Sequence, residues 1–395
     1  RSMTRTPPLP ALPWPPPPGR RHVLTGLACS AVGVSHKARA DATIDPALVD
    51  IRRYVYIPGT ATPDATIIDT ETARIVGSLP TGVVARQAVV SRDTATLIAT
   101  DGQSAAVSLV NVFTGVVRRV GLPMPARRLT VGTNGRLVAA IDPAGGAIAI
   151  VNLDSDRVGT VITGLPPLRD VMFGASDEVL YVAATGLAGV GVIDVAQGRL
   201  SHEIATFPPA GGGVASLART PDGRNILAQP QGGGPISILD PEQRKPVAQL
   251  QAGIGSAGMF PSGTGSYLLV PDSTNATLTV FRSGRTDQPI TLPGATGVIG
   301  AYSAWLDSIA FMPSAERNSV LVYNLDKMRL VDEIALHGTP VRGAVTPDSR
   351  TLYVPVLDPP QVVAVDGATQ RVVARFDLPG PPLAALVAGG WGVCH

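Results

Sequence analysis

A phrase of constant form recurs along this chain. A short apolar run ends in Asp or Asn, a few polar residues follow, and a second apolar run begins. Its anchors are Asp69, Asn111, Asn152, Asp194, Asp240, Phe281, Asn324 and Asp366, with Phe281 standing where an acid or amide belongs. Successive anchors lie 42, 41, 42, 46, 41, 43 and 42 residues apart. A period of about 40 to 45 residues points to a β-propeller, in which each repeat is one four-stranded blade. Eight anchors predict eight blades. Discounting the Phe281 unit, whose anchor is weakest, leaves seven as the alternative.

Composition fits an all-β ring. The 395 residues include 43 Gly and 37 Pro, as a chain of tight turns requires. Blades pack face to face, so their middle strands are apolar on both sides and lose strict alternation. Val89-Val90, Ile148–Val151 and Val362–Val365 read this way.

The first 40 residues read as a leader rather than as part of the ring, which is expected over residues 41–395. Residues 7–18 carry eight prolines, which excludes helix or a central strand. Arg20-Arg21, the apolar stretch Val23–Val34 and Ala38-Arg39-Ala40 then form an export signal. The arginine pair favours the twin-arginine route, and the expected location is periplasmic or secreted. Cys29 fits a lipoprotein site poorly. No stretch reaches the roughly 18 apolar residues of a membrane helix. The leader holds six of the 32 Lys/Arg and none of the 30 Asp/Glu, so the remainder carries 26 − 30 = −4. A basic nucleic-acid-binding surface is therefore not expected. Only Cys394 remains outside the leader, which excludes an intrachain disulfide or a Cys-based metal site.

The last repeat shows how one blade is written. Val341–Thr346 reads as inner strand A and Pro347-Asp348-Ser349-Arg350 as a turn. Thr351–Pro355, Val362–Asp366 and Arg371–Phe376 are strands B, C and D. Thr220-Pro221-Asp222-Gly223-Arg224 is the same A–B turn, with Pro setting φ and Asp-Gly the reversal. Tyr54-Val55-Tyr56-Ile57 opens the first repeat as a strand B with no strand A before it. Pro382–Val387 has the place of a strand A after the last blade. The C-terminal strand is therefore expected beside the three N-terminal ones, closing the ring and removing exposed sheet edges.

Leu352-Tyr353-Val354-Pro355, Val363-Ala364-Val365-Asp366, Ala368-Thr369 and Val372-Val373-Ala374 resemble the YVTN-type, WD40-like repeat. Over about residues 52–390 the chain is similar to YncE-like periplasmic propellers. The same signature marks the haem-binding propeller of cytochrome-type nitrite reductase, its maturation homologues and amine dehydrogenase heavy chains. The resemblance implies the repeat class and leaves the choice among its members open.

Catalytic signatures are missing. There is no tryptophan-docking repeat, since only Trp305 and Trp391 lie beyond the leader, and no GxSxG before a helix, P-loop or HExxH. Val393-Cys394-His395 lacks the first Cys of a haem-attachment motif and reads as a chance ending. His202 sits in an outer strand, where a solvated side chain is expected. His337 lies in the D-to-A loop Leu336–Pro340, on the face that rings one mouth of the channel. It reads first as a loop hydrogen-bonder. With no second His nearby it makes no metal site, though one His could serve as an axial haem ligand. Arg86, Arg127, Arg128, Arg169 and Arg342 collect just ahead of the A strands. Such a cluster would attract a carboxylate or phosphate, unless Asp170 and other acids neutralise it. Gly211-Gly212-Gly213 and Gly232-Gly233-Gly234 fall on the same face and read as blade connections, because neither leads into a helix.

The expectation is thus an exported, non-catalytic binding scaffold with no catalytic residue, no metal and no cofactor. Arg86, Arg128, Arg169, Arg342 and His337 would line a mouth that takes a small anion or a protein partner. The resemblance implies two alternatives: a haem-binding or cofactor-handling redox propeller, and a subunit like an amine dehydrogenase heavy chain, whose small partner supplies the cofactor.

Overall fold

The computed structural model describes residues 50–390 except 92, 208–211 and 257. The expected leader over 1–40 with Cys29 lies outside the described residues, as do Gly211, Trp391, Cys394 and His395. Eight antiparallel sheets of four strands follow one another, and we number them as blades 1 to 8. Their inner A strands are Leu386–Val387, Gln87–Ser91, Arg128–Val131, Leu168–Phe173, Val214–Arg219, Phe260–Pro261, Tyr302–Ala304 and Ala344–Val345. Among the described residues the only other regular element is a 3-10 turn at Ile51–Arg53.

Closure follows the expectation. Tyr54–Pro58, Asp64–Asp69 and Arg74–Pro80 form strands B, C and D of blade 1, and Leu386–Val387 supplies its strand A. Val55 pairs with Val387 and Tyr56 with Leu386.

Apolar runs become the B and C strands because both of their faces are covered. Val138, Ala140, Ala149 and Val151 of blade 3 pack on Ile98, Val107 and Leu109 of blade 2. Phe311, Val320 and Val322 of blade 7 meet Leu352, Val354 and Val363 of blade 8 in the same way. Each buried Val, Leu, Ile or Phe among them contributes about 1.5–3 kcal/mol, so the ring is held mainly by its blade interfaces. The D strands face outward and regain alternation, as in Arg371–Asp377.

The anchor residues cap the C–D turns. Asn111 Oδ1 accepts from the backbone N–H groups of Phe113 and Thr114, both at 3.0 Å, and Asp366 accepts from Thr369 at 2.7 Å. An Asx side chain folded onto its own turn explains why Asp and Asn recur there. The blade 6 anchor needs correction. The residue that ends its strand C is Arg282, paired with Arg285 across Ser283-Gly284. Gly284, at φ 75°, permits this two-residue reversal without a capping side chain. With Arg282 in place of Phe281, the spacing from Asp240 to Asp366 is 42 residues at every step.

Strand A of blade 8 is shorter than expected, with regular pairing only at Ala344–Val345. The backbone of strand B crowds Gly343, where a Cβ would lie 2.7 Å from the Tyr353 carbonyl oxygen. The neighbouring strands match the expected positions to within a residue, at Thr351–Val356, Gln361–Asp366 and Arg371–Asp377.

Candidate functional site: one mouth of the channel

Strand pairing defines a ring of equivalent positions where the A strands begin. Gln87 lies opposite Thr100, Arg128 opposite Ile141, Asp170 opposite Ala183 and Ser216 opposite Gln229. Extending the registers of the shorter A strands adds Gly258, Gly300, Arg342 and Ala384. All D-to-A loops enter this level from the same side, so these residues share one mouth.

The sequence-selected arginines divide between two levels. Arg128 and Arg342 occupy the ring itself. Arg86, Arg127 and Arg169 stand one residue before it, as the Arg86 and Arg127 N–H bonds to the carbonyls of Thr100 and Ile141 show, both at 2.8 Å. Arg128 and Arg169 are strand residues rather than loop residues.

Most polar groups at this level stitch blades together. The Gln87 amide oxygen accepts from the Leu129 N–H of the next blade. Arg128 donates to the Arg169 carbonyl at 2.5 Å and pairs with Asp170 at 3.0 Å. The other Asp170 oxygen accepts from the Leu217 N–H at 2.8 Å. Burial pushes the Asp170 pKa up, against the pull of the Leu217 N–H and Arg128. Between blades 7 and 8 the Tyr302 hydroxyl accepts from the Gly343 N–H at 3.0 Å. Burial raises the Tyr302 pKa, and the Arg342 charge opposes it. Gly300 makes room for that phenol, since a Cβ there would lie 2.8 Å from its oxygen.

Arg169 donates to the Gly212 carbonyl at 2.6 Å, so it serves a blade connection. Gly232, Gly233 and Gly234 all have positive φ in the B–C connection of blade 5, in line with that reading. Arg127 is exposed, 3.9 Å from Asp142. Arg86 and Arg342 are exposed, and their side chains make no hydrogen bond or ion pair among the described residues.

The structure brings Arg128 and Arg342 together on one cavity of about 260 Å³. Gln87 and Asp170 complete its polar rim, and Val89, Leu386 and Ala344 line its wall. Arg86, Arg169 and His337 do not line it. His337 is exposed in its loop, at φ 61°. Among the described residues no cluster of three or more His, Cys, Asp or Glu could hold a metal ion.

His202 corrects the expectation of a solvated side chain. It is half-buried, its Nδ1 lies 3.1 Å from the Ser201 hydroxyl, and its Nε2 is sealed without a partner. Burial pushes its pKa down, assisted by the Arg244 charge.

Sequence reasoning missed a second set of latches at the opposite mouth. Asp177, buried at φ 61°, accepts from Thr133 and Asn134 of the preceding blade at 2.5 and 2.9 Å. Asp307, at φ 66°, accepts from Gly263 and Thr264 at 3.1 and 2.9 Å. Three blades place Gly at this turn position, at 135, 223 and 265, all with positive φ. An Asp where other repeats carry Gly was the available signal.

No protein-family model matches the sequence, and a search of curated proteins finds no match. Solved structures do match. Dihydro-heme d1 dehydrogenase NirN, in complex with DHE, superposes with a TM-score of 0.68 at 14% identity, over 86% of this chain and 76% of that one. Apo AztD from Citrobacter koseri gives 0.64 at 12% identity, over 86% and 98%. Kuenenia stuttgartiensis hydrazine synthase gives 0.53 at 15% identity, over 75% and 96%. At such identities the likeness establishes the β-propeller fold and nothing finer.

Proposed function

We propose that this propeller is a non-catalytic binding scaffold of the YVTN type whose Arg342 mouth holds a small anion. One observation carries the reading. Arg128 and Arg342 line the same cavity, yet Arg128 is committed to Asp170 and the Arg169 carbonyl, while Arg342 is exposed and unpaired among the described residues. A guanidinium left with its fork of donors open is suited to an oxyanion. Among the described residues the rim has no nucleophile beside a base, which supports binding rather than turnover.

The test is titration of the protein with acetate and with inorganic phosphate by calorimetry, at low and at ordinary salt. We expect saturable binding that weakens with salt, because exposed charge is screened within about 8–10 Å. Arg342→Ala should weaken it about 10- to 100-fold, the value of a charge-assisted contact of about 1.5–3 kcal/mol. Absence of saturable binding to the unaltered protein overturns the proposal.

The haem alternative draws support from the likeness to NirN, whose structure is a complex with DHE. Two observations favour the anion reading over it. The cavity of about 260 Å³ falls below the range of about 300–1,000 Å³ usual for drug-sized ligands. His337, its expected ligand, does not line that cavity.

A further inference from the structure

We infer that the anion held at Arg342 is a monocarboxylate with a short aliphatic tail, an inference that rests on the anion-binding reading above. Charge limits the head group. Among the described residues the ionisable side chains lining the cavity are Arg128, Asp170 and Arg342, a sum of +1 − 1 + 1 = +1. Arg128 and Asp170 already neutralise each other at 3.0 Å. One unpaired cation therefore faces the ligand. That matches a carboxylate, whereas a phosphate carrying a second charge would also meet the Asp170 carboxylate.

The wall selects the rest of the molecule. Two residues further along the A strands from the charged ring come Val89, Ala344 and Leu386, with Thr130 the one polar lining residue at that level. Two residues of strand advance the chain about 7 Å, so a head at Arg342 would send its tail past these apolar groups. Val171, Leu217 and Ala385 also line the space. One Asp170 oxygen and the Gln87 amide oxygen are turned to N–H groups of the next blade, and the other Asp170 oxygen faces Arg128 and the Val171 N–H. The cavity's about 260 Å³ suits a chain of a few carbons and not a long lipid.

Calorimetry with acetate, butyrate and hexanoate, set beside inorganic phosphate, tests this. Each buried methylene is expected to tighten binding about three- to four-fold, so hexanoate should bind far more tightly than acetate, with phosphate weaker than hexanoate. Val89→Thr keeps the shape of the wall and adds a hydroxyl. It should flatten the gain along the series, with circular dichroism checking that the ring remains folded. Arg342→Gln should weaken hexanoate at least 10-fold. If acetate, hexanoate and phosphate bind alike, the tail inference is overturned while the anion reading stands. If none of them binds, both fall together.

Discussion

Asp307 gives the sharpest test of how the blades are joined. Its carboxylate is buried in the A–B turn of blade 7 and accepts from the N–H groups of Gly263 and Thr264 and from the Thr264 hydroxyl. Replacing it with Ala removes two charge-assisted backbone bonds, each worth about 1.5–3 kcal/mol. The loss is partly offset. Gly263 N–H keeps the Ser303 hydroxyl at 3.0 Å, and Thr264 is exposed enough to turn to water. The net cost is about 2–3 kcal/mol. A ring of about 340 residues unfolds with an entropy of about 0.7 kcal/mol per degree at its midpoint, so Tm should fall by about 3–4 °C. Two further variants separate the latch from the backbone. Asp307 sits at φ 66°, where Gly is at ease and Ala is not, so Asp307→Gly should be about 1 kcal/mol less damaging than Asp307→Ala. Asn tolerates this conformation and retains one acceptor, so Asp307→Asn should be the mildest. Burial pushes the Asp307 pKa up, but hydrogen bonds from Ser262, Thr264 and Ser303 outweigh it and leave the pKa lowered. A folded pKa below the unfolded one means stability that is present above the ordinary carboxylate range and lost as pH falls through the folded value. Urea unfolding at pH 7 and below pH 4 measures both effects. An Ala variant within about 0.5 kcal/mol of the parent, as for an ordinary surface change, would refute the latch.

Three further outcomes are expected. Val387→Asp places a charge in the seam between blades 8 and 1, where Val387 packs with Val55 and Phe376, and should cost at least about 3 kcal/mol by urea unfolding. Asp69 is held by two of the three Arg53 guanidinium nitrogens, at 2.7 and 2.5 Å. The Arg53 hydrogen bonds, against burial and with help from Thr72 and the Glu71 N–H, bring its pKa down to about 2. Its contribution of about 2 kcal/mol should be complete above pH 4 and disappear as pH falls through about 2, and Asp69→Asn should remove that dependence from an acid-unfolding curve. His202, with a folded pKa lowered by burial, binds its proton more readily when unfolded. The parent should therefore lose stability as pH drops through the ordinary histidine value of about 6.5, and His202→Leu should lose less over the same interval.

The sequence by itself determined the architecture, because a propeller is written locally. Each blade repeats an apolar run, an Asx-capped turn and a second apolar run, so spacing alone reveals the count. The missing strand A before Tyr54 and the extra one after Pro382 reveal the closure. Where the signal was weak the reason was local too: blade 6 turns on Gly284, which needs no capping side chain, so Arg282 left no anchor to read. The site was only partly legible. Arg128 and Arg342 share a ring level because 42-residue repeats place equivalent residues around one mouth. Sequence reasoning named Asp170 as a neutraliser, yet could not tell that Arg128 would be the arginine it takes, that Arg169 would hold a glycine connection, or that Arg342 would remain open. Those outcomes depend on which neighbouring blade offers a carboxylate or a carbonyl within about 3 Å, a distance set by tertiary packing. The latches at Asp177 and Asp307 and the sealed Nε2 of His202 have the same origin. Each joins or abuts residues distant in sequence, and only the closed ring brings them within reach.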